Sequence, residues 1–187
     1  MQDKNEKLII IIEDARGIRT WQTLIDIVTQ CACRTSKTNI EIKTAKGPLE
    51  GLRVSKIIRA LHNRDPHAII VVAPDTDRYG CAKETEERLN DVLERCCRDA
   101  LSSIKILPFI EKLEDWVYTL LEGESCRCCG AERLARVLGG KYEKYMMAKR
   151  IPSKLRSSRD KVCENLSKRW LLSSTGLDRL LGLLCVQ

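Results

Sequence analysis

The stretch AIIVVAPDTDRYG, residues 68–80, passes from six apolar residues into two aspartates one residue apart, Asp75 and Asp77. A short run rich in Ile and Val fits a strand buried on both faces. Two carboxylates at its end are costly to bring near a core. Two readings explain them. Pro74 and Gly80 fit an acidic turn whose aspartates cap the next helix. The other reading is a metal site.

The same pattern occurs at the start of the chain. KLIIIIE, residues 7–13, is a second continuous run of Ile and Leu, and it ends in Glu13 and Asp14. Between the two runs, Ile18, Trp21, Leu24, Ile25 and Val28 share a helical face. NIEIKT, 39–44, alternates apolar with polar as a half-exposed strand does, and Val54, Ile57, Ile58 and Leu61 mark a helix over 52–62. Beyond Asp77, Leu89, Val92, Leu93 and Cys96 predict a helix over 82–97. SIKILPF, 103–109, reads as a fourth strand, and a helix follows from about Lys112 to Leu121. This β-α-β-α-β-α-β-α succession predicts an α/β fold, a four-stranded parallel sheet with flanking helices.

Strands 1 and 3 are apolar throughout and belong in the centre. Strand 2 alternates, and strand 4 carries Pro108, which lacks a ladder donor, so both suit edges. The order 2-1-3-4 follows. It makes strands 1 and 3 neighbours about 4.8 Å apart. The direction of winding reverses between them, at the crevice where doubly wound sheets bind ligands. Glu13, Asp14, Asp75 and Asp77 converge there. Clustered like charges need compensation, and a hard divalent cation supplies it.

With IIIIED supplying Glu13 after the first strand and VVAPDTD supplying Asp75 and Asp77 after the third, residues 7–122 resemble a Toprim domain. The closest similarity within that family is to small stand-alone proteins related to the OLD nucleases. There a further Glu lies two residues before a Trp, and EKLEDW places Glu114 ahead of Trp116 in that way. Their helical tails carry a Tyr- and Lys-rich stretch similar to GKYEKYMMAKRIPSK. The family usually has Gly directly after its first Glu, whereas this chain reads Glu13-Asp14-Ala15-Arg16-Gly17.

The resemblance implies Mg²⁺- or Mn²⁺-dependent phosphoryl transfer on DNA or RNA. Glu13, Asp75 and Asp77 would be the catalytic residues, and with Glu114 they would hold the metal. Beside the resemblance, Arg16 or Arg19 would stand in by charge for the missing Gly, and Arg78, directly after the aspartates, would neutralise phosphate unless it forms a solvated salt bridge. A Toprim-like module that binds nucleic acid or regulates without turnover is the alternative, and a partner ATPase is open. Asp14 is better read as a cap for the helix starting near Arg16, and Trp116, in register with Leu113 and Leu120, as a core anchor.

The tail carries the charge. Residues 1–138 hold 22 basic and 22 acidic side chains, whereas 139–170 hold 10 basic and 3 acidic, which is the whole net charge of +7. The domains predicted are therefore 1–122, α/β, and 123–187, a basic helical C-terminal extension. In the extension Lys141, Lys144, Lys149, Arg150 and Lys154, with Arg156 and Arg159, form a candidate nucleic-acid backbone grip, unless they are a solvated helix face. Helices are expected over 130–149, with a break near Gly139-Gly140, then 156–171 and 176–185, with Pro152 interrupting the first of these segments. Leu177, Leu180, Leu181 and Leu184 form an apolar stripe that docks on the domain or, in a homodimer, on a second copy.

No stretch approaches the ~20 apolar residues of a membrane span, so no membrane partner is expected and the location is read as cytoplasmic. Ten cysteines are many for such a setting, except in a thermophile. Cys126 and Cys129 have zinc-ligand spacing, with Cys163 or Cys185 as conceivable further ligands. With no second CxxC and no nearby histidine, disulfides or free thiols are favoured over zinc.

Overall fold

A computed structural model describes residues 7–33, 39–75, 82–107, 113–124, 130–141 and 143–185. Four strands, β1 (Leu8–Ile12), β2 (Ile40–Thr44), β3 (Ile69–Ala73) and β4 (Ile104–Ile106), form one parallel sheet in the order β2-β1-β3-β4. Helices α2 (Gly51–Arg64) and α3 (Ala82–Cys96) pack on it, and α1 (Ile18–Ala32) and α4 (Leu113–Glu122) alternate with the strands along the chain. The C-terminal helices are α5 (Gly130–Val137), α6 (Lys144–Ser157), α7 (Arg159–Leu166), α8 (Arg169–Thr175) and α9 (Leu177–Leu184). The fold is α/β with the sheet order expected.

The chain gathers into two compact units. One comprises Met1–Ala15 and Lys37–Pro108; the other comprises Arg16–Ser36 and Phe109–Gln187. The partition is not a single cut near residue 122, because α1 and α4 group with the C-terminal helices.

In the first unit, alternate strand residues feed one core. Ile9 and Ile11 of β1, Ile70 and Val72 of β3 and Ile104 of β4 pack with Val54, Ile58 and Leu61 of α2 and Leu89 and Leu93 of α3. Leu8, Ile10, Ile12, Val71 and Ala73 point to the opposite face and are buried too, so both faces of β1 and β3 are dry. Each such side chain contributes roughly 1.5–3 kcal/mol of burial. All five residues of β2 are half-buried, as befits an edge. The fourth strand is shorter than the expected 103–109: it spans Ile104–Ile106, with one further ladder bond from Leu107 N–H to Val72 O (2.8 Å). Pro108 lies outside the described residues.

In the second unit, α1 packs on α6, α7 and α9, and α4 on α5 and α7. Trp21 and Trp116 meet edge to face with ring centroids 6.1 Å apart. The Trp116 indole N–H donates to Thr175 O at 2.7 Å, so Trp116 is the core anchor expected. Disulfides join Cys31 to Cys163 and Cys33 to Cys185. Both conceivable tail ligands for zinc are therefore committed elsewhere, while Cys126 and Cys129 lie outside the described residues.

The helix break near Gly139 is present. Gly139 takes φ +74°, and the N–H groups of Gly139 and Gly140 donate to Arg136 O and Ala135 O, the Schellman arrangement that closes α5. Pro152 does not interrupt a helix; it lies inside α6. Its ring removes one backbone donor, but its fixed φ is helical, and Ile151, Pro152 and Leu155 are all buried, so packing outweighs the local penalty. The segment expected as one helix over 156–171 instead holds the end of α6, all of α7 and the start of α8, parted at Ser158 and at Ser167 and Lys168.

Candidate site at the carboxyl ends of the strands

Parallel pairing puts Ile12 level with Ala73. Glu13 therefore leaves β1, and Asp75 leaves β3, at the same end of neighbouring strands. Both are half-buried. Asp77 and Arg78 lie outside the described residues. The order β2-β1-β3-β4 makes this strand pair the point where winding reverses.

Glu13 is held by the turn after β2. Its carbonyl oxygen accepts from Gly47 N–H (3.1 Å) and Thr44 Oγ1 (3.3 Å), and its carboxylate Oε1 accepts from Leu49 N–H (3.1 Å). Arg53, in the first turn of α2, braces that turn by donating from Nη2 to Ala45 O (2.6 Å) and Lys46 O (2.7 Å). The turn needs Gly47: its φ is +145°, and a Cβ there would lie 2.8 Å from Arg53 Nη1. Thr44, Gly47, Leu49 and Arg53 are thus positioning residues that the sequence reading missed. Gly47-Pro48 ahead of a helix was the available signal for a turn. Nothing in a side-chain pattern marks a backbone N–H as the partner of Glu13.

The opposite end of the sheet is balanced by ion pairs. Lys7 bridges Glu41 and Asp65 (2.9 Å each), and Arg64 contacts both (2.9 and 2.8 Å). Hydrogen bonds from Lys43 and then Lys7 hold the Glu41 carboxyl down at about 2, against a smaller opposing effect of burial. Lys7, chiefly through Asp65, is raised, and Asp65, chiefly through Lys7, is lowered.

Glu114 stands half-buried in the first turn of α4, in the second unit, whereas Glu13 and Asp75 belong to the first. Asp14 is exposed ahead of a 3-10 turn, Ala15–Gly17. That turn runs directly into α1, whose own N-cap is Gly17. Arg16 is exposed. On α6, Lys149 and Arg150 are exposed and Lys154 is half-buried, on the arc away from buried Ile151 and Leu155. Lys141 is exposed between α5 and α6. The side chain of Lys144 is not among those described. Leu177, Leu180 and Leu184 are buried, and α9 packs on α1 and α8, so the chain itself covers most of that stripe.

Among the described residues, no three His, Cys, Asp or Glu side chains gather as a metal-binding group. Glu13 and Asp75 are hard oxygen donors of the kind Mg²⁺ and Mn²⁺ prefer. Among the described residues, no helix is long and apolar enough to cross a membrane.

Fold and strand-end carboxylates together define an α/β protein with a parallel 2-1-3-4 sheet and an acidic switch point. Comparison with models of known families, with curated proteins and with solved structures returns no match.

Proposed function

We propose that the protein is a Mg²⁺- or Mn²⁺-dependent phosphoryl-transfer enzyme of the Toprim type that cleaves DNA or RNA. One observation carries this reading: Glu13 and Asp75 leave adjacent parallel strands at the switch point of the sheet. Glu13, Asp75 and Asp77 would hold the metal. The ion, when bound, would offset phosphate charge and activate an attacking oxygen. Glu13 is positioned by its bond to Leu49 N–H and can exchange a proton with the attacking or leaving oxygen. The exposed Lys141, Lys149 and Arg150, with Lys144 and Lys154, would grip the nucleic-acid backbone with salt-dependent affinity, and Arg16 and Arg78 would meet phosphate. A cytoplasmic location accords with this substrate.

The bond between Glu13 and a backbone N–H also favours a second reading, in which the carboxylate organises the turn and the domain binds nucleic acid without turnover. Cleavage of end-labelled DNA and RNA with Mg²⁺ or Mn²⁺ separates the two. We expect Glu13→Gln and Asp75→Asn to lose at least ~100-fold in rate, the scale of a lost general acid-base or metal-ion contribution. Equal rates in all three proteins would remove the catalytic assignment. Binding without cleavage by the wild type would select the second reading.

A further inference from the structure

We propose that Cys96 and Cys97 are a thiol–disulfide exchange site, a pair of adjacent cysteines that closes reversibly to a disulfide in response to a small-molecule disulfide. This stands apart from the phosphoryl-transfer reading and does not depend on it. Both residues are free thiols at the carboxyl end of α3. Their sulfurs are 2.9 Å apart, one thiol donating to the other. An S–S bond is about 2.05 Å long, so closure asks for an approach of roughly 0.9 Å.

The surroundings hold the pair in place. Cys96 Sγ donates to Ser55 Oγ of α2 at 2.9 Å. Arg59 donates from Nε (2.9 Å) and Nη2 (2.6 Å) to Cys96 O, fixing the peptide that would become part of the ring. Cys96 is half-buried and the more accessible of the two, whereas Cys97 is 6% exposed. This asymmetry assigns the roles. The Cys96 thiolate attacks an incoming disulfide, forming a mixed disulfide and expelling one thiolate. The Cys97 thiolate then attacks Cys96 Sγ, forming the Cys96–Cys97 bond and expelling the second. The pair loses two electrons, the incoming disulfide gains them, and the two protons end on the two small thiols released.

Burial, then the Cys96 neighbour, pushes the Cys97 thiol up to about 11, with Arg59 opposing. The second step therefore quickens as pH rises. Adjacent Cα atoms lie about 3.8 Å apart, below the ~4.4–6.8 Å of ordinary bridges, so the closed ring is more reducible than a long-range disulfide. Cys31–Cys163 and Cys33–Cys185 are bridges of that long-range kind.

The test uses the full chain treated with oxidised glutathione, quenched in acid, alkylated with iodoacetamide and mapped by mass spectrometry. We expect the peptide bearing Cys96 and Cys97 to lose both alkylation sites and a pair of hydrogens. Dithiothreitol at least tenfold more dilute than that needed to open Cys31–Cys163 should restore it. Full alkylation of both cysteines after oxidation would overturn the proposal. So would a lasting glutathione adduct on Cys96 beside an alkylated Cys97. Cys97→Ala should trap that adduct. If it does not fold, Cys96→Ser carries the same test, because Cys97 should then remain alkylatable and free of glutathione.

Discussion

The two compact units are fastened differently. The sheet unit coheres through a continuous aliphatic core, and the two cysteines described in it, Cys96 and Cys97, are unbridged. The helical unit assembles segments far apart in the chain and fastens them with two disulfides spanning 132 and 152 residues. In the first unit, order follows from what each short segment buries. In the second, buried helix faces are joined by cross-links that no segment reveals by itself.

The largest effect that would sharpen this contrast is loss of the staples. A disulfide closing a loop of more than about 100 residues stabilises by roughly 4–5 kcal/mol on the chain-entropy account. Reduction of both, or the double change Cys31→Ala and Cys33→Ala, should lower the melting temperature by roughly 10 °C or more. Hydrogen exchange should locate the damage. Amides of α1, α7 and α9 should lose protection first, while those of β1 and β3 stay slow. Parallel loss of protection in the strands would break the comparison, because the two regions would then share one stability.

A smaller effect compares two glycines. Gly123, just past α4, has φ +76°, and a Cβ there would lie 2.6 Å from Asn165 Oδ1. Asn165 is buried; it donates to Leu120 O (2.9 Å) and accepts from Lys168 Nζ (2.7 Å), so it cannot move without losing both bonds. Gly47 in the sheet unit also has a positive φ, but its would-be neighbour is the end of the long Arg53 side chain, whose bonds to Ala45 O and Lys46 O lie nearer solvent, where water can replace them. Gly123→Ala should therefore cost about 2–4 kcal/mol, combining backbone strain with a disturbed buried amide. Gly47→Ala should cost about half that in the strain alone. Urea midpoints of the two variants decide the order, and a reversed order would show that the Asn165 contact yields freely.

These contrasts also explain what the sequence made legible. The strands β1 and β3 were readable because a parallel strand dry on both faces must be apolar throughout, and Leu8–Ile12 and Ile69–Ala73 are. The same runs gave the sheet order and the shared end for Glu13 and Asp75. The cysteine pairing was hidden, since it depends on where the end of α1 meets α7 and the chain terminus, and periodicity carries no such information. Pro152 misled because a local rule, that proline ends helices, gave way to the burial of its neighbours Ile151 and Leu155. The turn holding Glu13 was hidden for another reason: its key donors, Gly47 and Leu49, act through backbone N–H groups.

The smallest effect concerns the polar margin of the sheet unit. Glu41 is held at about 2 by Lys43 and Lys7, below its ordinary 4.5. A carboxyl lowered on folding adds stability that is whole above its unfolded value and drains away as acid takes the pH down through the folded one. For Glu41 the window runs from pH 4.5 to about 2. Exposed pairs contribute little, so Glu41→Gln should cost less than about 1 kcal/mol at pH 7. The shape of the loss matters more than its size. Urea midpoints of wild type and Glu41→Gln should differ most above pH 4.5 and converge as pH approaches 2, because the other carboxylates titrate alike in both proteins. A gap that stays constant with pH would mean that Glu41 acts through packing, and the sheet margin would then be no more electrostatic than the disulfide-fastened helices.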